Sequence, residues 1–456
     1  MKKHSRPLAL LLAFLTILSI AACRTTEIPE ETTASESENA STVAPETTDI
    51  LTDAPPEETT EESTATDTDS NTATPPETSA PEKKDTLSVI MQTGVGEPML
   101  SGLAEEKYAA VLDAREKALL YEHNAGIELS RTDDLVTKIK NTVQTSENRF
   151  DLILTDPTLG GELIRSGLLE DLSGAGIEIN SLSGTVGSIT QSLAFGKRTY
   201  LFASKALVSD ITSAYGIRYN GAKLSSSPVD KAVAGEFTLE LMLTYISEAS
   251  FALTDASPLE LYQGVGGKIF ISDSLGVPMS ALRDSVAFSL AYAKTLKLTV
   301  AAKENSKAVF KAEKLSPLAS GEYWLPLPKA NADAKYVTPL DASSLSLFAA
   351  PAGVVSGKRL ARLADALGAL SSDYRAAVEG EINGKGGSSE ALALIIGSTR
   401  LDLGTVLGWG NIDDLINDAL KAQTAPDALL ADRITVMRNE AVDAAAKIVA
   451  ERLGIK

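Results

Sequence analysis

The chain has 456 residues, enough for two or three domains, and carries 42 basic against 61 acidic side chains for a formal charge of −19. That balance excludes a nucleic-acid binder built on a basic footprint. The single cysteine excludes an intrachain disulfide, and two histidines are too few for a histidine-rich metal site. The acidity is uneven: residues 23–85 hold 3 basic and 17 acidic residues, whereas residues 86–456 hold 36 and 44. The part able to fold is therefore only mildly acidic.

The chain begins with Lys2, Lys3 and Arg6, followed by an apolar run from Leu8 to Ile20 that is too short for a membrane-spanning helix. It closes on Ile20-Ala21-Ala22-Cys23, which resembles the lipobox of bacterial lipoproteins. Residues 1–22 are expected to be a cleaved signal peptide and Cys23 the acylated first residue, since two acyl chains hold a protein firmly on a bilayer. From 24 to 85 the sequence is Thr, Glu, Ser, Pro, Asp and Ala with almost no large apolar side chain. Such a composition cannot bury enough surface to offset ordering entropy, so a disordered tether is expected. As an ideal flexible chain it would reach about 40–50 Å.

Leu87–Ile90 predicts a first strand, and a helix follows from about Gly102 to His123. Ile127–Leu129 is a second strand, and Thr132-Asp133-Asp134 caps a helix carrying Leu135, Ile139 and Val143. Leu152, Ile153 and Leu154 form a third strand. Pro157 lacks the N–H a ladder needs, so Asp156-Pro157 breaks it. A helix with Leu163 and Ile164 inward then ends at Gly167. Strand alternating with helix is the rhythm of a parallel sheet covered on both faces. In such sheets ligands bind outside the carboxyl ends of strands, which makes Asp156 and Thr158 candidates.

Tyr200-Leu-Phe202 is expected to open a second region. Thr238 is an N-cap with Glu240 behind it, and Trp324 leans to the core. The helix 358–370 places Leu360, Leu363 and Leu367 on one side. Asn411 and Asp414 are spaced as a cap and its acidic partner. A last helix, about 432–453, carries Ile434, Met437, Ala441, Ile448 and Val449 as its apolar positions. Gly94-Val-Gly96 and Gly264-Val-Gly-Gly267 do not complete a phosphate-loop pattern and are expected to be loops. Asp133 with Asp134, and Glu379 with Glu381, are read as solvated carboxylates of helix starts and loops rather than as acid–base pairs.

The stretch Phe150-Asp-Leu-Ile-Leu-Thr-Asp-Pro-Thr-Leu-Gly-Gly-Glu-Leu-Ile-Arg-Ser-Gly-Leu-Leu169 resembles a segment of the extracellular solute-binding proteins of ABC importers, of the carbohydrate type found in Gram-positive bacteria. Gly235-Glu-Phe-Thr238, Tyr323-Trp-Leu-Pro-Leu-Pro-Lys329 and the block from Thr399 to Gly410 continue the likeness. The resemblance implies an α/β, two-lobed periplasmic-binding-protein-like fold of type II. Lobe 1 would span about 86–200 and 345–375, and lobe 2 about 201–344 and 376–456. It also implies capture of a small solute, a carbohydrate, for an ABC permease and its ATPase, by a monomer with no catalytic step, cofactor or metal. A surface lipoprotein using the same fold for sensing or adhesion is the alternative.

Sugar sites stack ring faces on aromatics and hydrogen-bond hydroxyls with polar side chains. Asp156, Thr158, Asp341, Ser343 and Trp409 are the expected ligand residues. Trp409 lies between Gly408 and Gly410, which suits an exposed loop. His123 is expected at the surface near a helix end.

Overall fold

The computed structural model describes residues 85–93, 100–145, 150–174, 179, 182–303, 305, 307–353 and 356–455. Cys23, the leader, residues 24–84 and Gly94-Val-Gly96 lie outside the described residues.

Five strands form the first sheet: β1 (Asp85–Gln92), β2 (Ala125–Thr132), β3 (Leu152–Thr155), β4 (Leu201–Phe202) and β12 (Leu347–Ala349). Their order across the sheet is β2-β1-β3-β12-β4. β1 pairs in parallel with β2 and β3, and β12 is antiparallel to both β3 and β4. Side chains alternate between faces, as the pleat requires. Leu87, Val89, Leu152, Leu154 and Phe348 share one apolar cluster with Leu360 and Leu363, whereas Ile90, Ile153 and Leu347 join another with Leu135 and Leu163. Both faces are therefore covered.

The covering helices follow the strands. α1 (Glu106–His123) and α2 (Leu135–Thr145) flank β2, and α3 (Pro157–Ser166) follows β3. The β3–α3 junction forms for local reasons. The Asp156 carboxylate accepts the Leu159 N–H at 2.9 Å, Pro157 fits the first helical turn, and Gly167 closes the helix at φ 66°. α4 (Gly187–Ser192) leads toward β4. His123 is the last residue of α1 and is half-buried.

Four strands form the second sheet: β5 (Tyr215–Tyr219), β6 (Phe251–Leu253), β9 (Phe310–Lys314) and β10 (Tyr323–Leu325), in the order β10-β5-β9-β6. α5 (Leu239–Glu248) is capped by Thr238, whose hydroxyl accepts the Leu241 N–H. α6 (Pro258–Gly264) opens with a complete capping box of Ser257 and Glu260. A small hairpin of β7 (Phe270–Ser272) and β8 (Pro278–Ser280) and the long α7 (Ser285–Ala301) lie between β6 and β9 in the chain. Trp324 is fully buried, as expected.

The chain passes between the sheets through residues 203–214 and 326–346. Tyr200-Leu-Phe202 does not open the second region: β4 is hydrogen-bonded to β12 and completes the first sheet. The two passes touch at the Ala214–Leu340 bridge. β11 (Thr338–Pro339) in the second pass pairs in parallel with β13 (Thr399–Arg400). After α8 (Gly357–Ala369), α9 (Ser372–Asn383) and α10 (Ser389–Gly397), α11 (Leu403–Leu407) packs on α3. The approach is close enough that a Cβ on Gly161 would lie 2.3 Å from the Val406 carbonyl oxygen. α12 (Ile412–Lys421) and α13 (Arg433–Arg452) complete the described chain.

Candidate functional site

A cavity of about 710 Å³ lies beside the passes. Ser188, Gln191 and Ser192 of α4 and the Lys197 turn line one side. Gln263, Lys268, Phe270 and Pro278 line the other, and Val337, Pro339 and Arg400 come from the β11–β13 pair and its approach. The wall is thus drawn from both sequence regions and from the segments joining them. Clefts of this volume are the ordinary size for a small ligand.

Two local devices fix the wall. Gly196-Lys197 is a two-residue turn with both φ values positive, 59° and 62°, closed by reciprocal Phe195–Arg198 backbone hydrogen bonds of 3.0 Å. Its tip is tied to the hairpin loop by the Gly196 N–H donating to the Gly276 carbonyl at 2.8 Å. The Asp402 carboxylate accepts N–H groups of Ile269, Phe270 and Gly404 at 2.9, 3.2 and 2.7 Å. Burial pushes its pKa up, against the pull of those amides and of the Lys268 charge. A Cβ on Gly404 would meet the Ile269 side chain at 2.3 Å, so this contact requires glycine.

The five expected ligand residues do not line either of the two described cavities. Asp156 is spent on capping α3, and Thr158 is exposed on its first turn. Asp341 pairs with Lys314 at 2.8 Å and accepts from the Ser343 N–H and hydroxyl and the Ser344 hydroxyl. Burial alone would raise the Asp341 pKa, but Lys314 and the two serines outweigh it and hold the carboxyl at about 2. Ser343 serves that turn.

Trp409 is 5% exposed, which corrects the exposed-loop expectation. Its ring meets Phe195 edge-on at 6.0 Å and Phe270 at 6.3 Å. The flanking glycines serve the backbone instead. Gly408 and Gly410 have φ of 60° and 66°, and a Cβ on Gly410 would lie 2.6 Å from the Arg438 carbonyl oxygen. Trp409 therefore backs Phe270, which lines the cavity. Asn411, expected to cap α12, is itself left-handed at φ 46° and makes no side-chain cap.

Glu379 and Glu381 lie within α9 rather than at a helix start or in a loop. Glu381 accepts from Lys107 and Tyr108 at 2.8 and 2.7 Å and borders a second cavity of about 310 Å³. Among the described residues no group of three His, Cys, Asp or Glu is placed to hold a metal ion. No described helix is long and apolar enough to cross a membrane.

Sequence reasoning missed Lys197, Lys268 and Gln191. Arg400 and Asp402 lie inside the Thr399–Gly410 block that carries the resemblance, which by itself marks neither as a cavity residue. The Gly-Lys turn and the Gly264-Val-Gly-Gly267 loop were the available signals.

No family model and no curated protein matches this sequence. Solved structures do. The chain is similar to extracellular solute-binding proteins. The cyclic alpha-maltosyl-1,6-maltose binding protein of Arthrobacter globiformis is 14% identical, with 79% of this chain and 99% of that one covered and a TM-score of 0.48. A family 1 extracellular solute-binding protein of Alicyclobacillus acidocaldarius is 12% identical, covering 78% and 98%, with a TM-score of 0.46. The sugar-binding protein MalE of Xanthomonas citri is 10% identical, covering 81% and 98%, with a TM-score of 0.49.

Proposed function

We propose that this protein is an extracellular solute-binding protein that captures a saccharide without chemical change and delivers it to an ABC permease. The carrying observation is the 710 Å³ cavity walled by both sequence regions and by the β11–β13 pair that joins them. A ligand held there contacts the elements on both sides, so it favours whichever arrangement brings them together. The sequence blocks that resemble solute-binding proteins, such as Phe150–Leu169 and Tyr323–Lys329, support the same reading. Two lobes form the binding part, acting as a monomer, with the second beginning after Phe202. Cys23 carries the lipid anchor, and residues 24–84 are the tether, since Asp85 already pairs in β1.

A ligand that binds only the native state raises the melting temperature. Saccharides added to the purified full chain are expected to raise it, whereas peptides are not. A panel in which only peptides do so would overturn the reading. The anchor is tested separately: Cys23→Ser should move the protein from the membrane fraction to the medium, and firm membrane retention would refute acylation there.

A further inference from the structure

We infer that the larger cavity takes the acidic group of a saccharide, a carboxylate or a sulfate ester, through Lys197, Lys268 and Arg400. This rests on the saccharide-binding reading and narrows its substrate class. All three cations line the cavity and all three are exposed. None makes an ion pair among the described residues. Some other cations of the chain are engaged: Arg359 with Asp85 and Asp151, Arg218 with Glu313 and Glu322, Lys314 with Asp341. In a chain with excess carboxylates, three cations without an ion pair around one cavity mark a region of positive potential.

Among the described residues the only acidic side chain in the lining is Asp402. Lys268 feels its charge from beyond ion-pair distance, but the carboxylate itself already receives three backbone N–H groups. Asp273, in the loop of the β7–β8 hairpin and outside the lining, is exposed and accepts the Leu275 and Val277 N–H groups at 2.8 Å. Lys197 occupies a left-handed position that glycine or asparagine adopts with less strain. The remaining lining suits a sugar. Phe270, Pro278 and Pro339 offer apolar faces, and Gln191 and Gln263 offer amides for hydroxyls.

The test is calorimetric titration of the full chain with a neutral oligosaccharide, its uronate-containing counterpart, its sulfated counterpart and inorganic sulfate. The uronate or the sulfated sugar is expected to bind at least about tenfold tighter than the neutral one, the value of one charge-assisted hydrogen bond. The two acidic arms identify which group is taken. Affinity should fall with added salt. Arg400→Gln and Lys268→Gln should each weaken acidic-sugar binding about tenfold and leave the unliganded melting temperature unchanged. Equal or tighter binding of the neutral sugar, unaffected by either substitution, would overturn the inference and leave the saccharide reading standing. Inorganic sulfate binding as tightly as the acidic sugars would overturn it as a general anion site. If no saccharide of either charge binds, the saccharide reading falls with it.

Discussion

Replacing Trp409 with alanine is expected to destabilise the fold by about 3–5 kcal/mol, the range for deleting a buried aromatic. The indole is nearly enclosed, edge-on to Phe195 and beside Phe270, and its backbone is pinned where Gly410 passes α13. No small side chain can fill that space, because the neighbouring backbone has little room to collapse. Trp409→Phe should lose less, since it keeps ring contact with Phe195. Urea denaturation followed by circular dichroism measures both. A Trp409→Ala protein of unchanged stability would show that the ring is not packing and belongs on an open loop. Loss of ligand binding in that variant would follow from movement of Phe270, so stability must be measured alongside affinity.

Arg375→Met is expected to cost a comparable amount, about 3–5 kcal/mol. The Arg375 guanidinium meets Asp210 at 2.7 and 2.8 Å in a two-pronged pair and also donates to the Leu207 carbonyl at 3.1 Å. Asp210 is 2% exposed and sits in the first pass between the sheets. Removing the arginine strands a carboxylate away from water, which costs more than the pair itself contributes. Asp210→Asn in the Arg375→Met background should therefore recover part of the loss. A loss below about 1 kcal/mol in the single variant, the level of a surface ion pair, would show that Asp210 is solvated after all.

What could be read from the sequence was what short-range chemistry decides. β3, the break at Asp156-Pro157, the Gly167 stop and the Thr238 cap depend on neighbours within a few positions. What could not be read depends on distant partners. β4 is too short to declare its sheet, and its place is set by pairing with β12. The last helix shows the limit of periodicity. Ile434, Met437 and Ile448, expected inward, are exposed, whereas Thr435, Asn439, Val442 and Ala446 are buried. α13 passes so close to Gly410 that its contact face takes small and polar residues, and the large apolar ones fall outside. The cavity was hidden for the same reason. Lys197, Lys268 and Arg400 are far apart in sequence and meet only through the turn at Gly196 and the β11–β13 pair.

The place of β12 also bears on how the protein is made. It lies between β3 and β4, but it comes from residues 347–349. A growing chain that has produced everything up to Phe202 holds a gap in the middle of its first sheet, with Leu152–Thr155 and Leu201–Phe202 presenting unpaired apolar edges. Such edges invite association with other chains. The first sheet cannot close until residues 347–349 are available to pair, so the residues before β5 have no complete sheet to adopt by themselves. The order of the strands makes the first sheet wait for residues 347–349, and a holding factor that masks the edges of β3 and β4 would act where the incomplete sheet is most exposed.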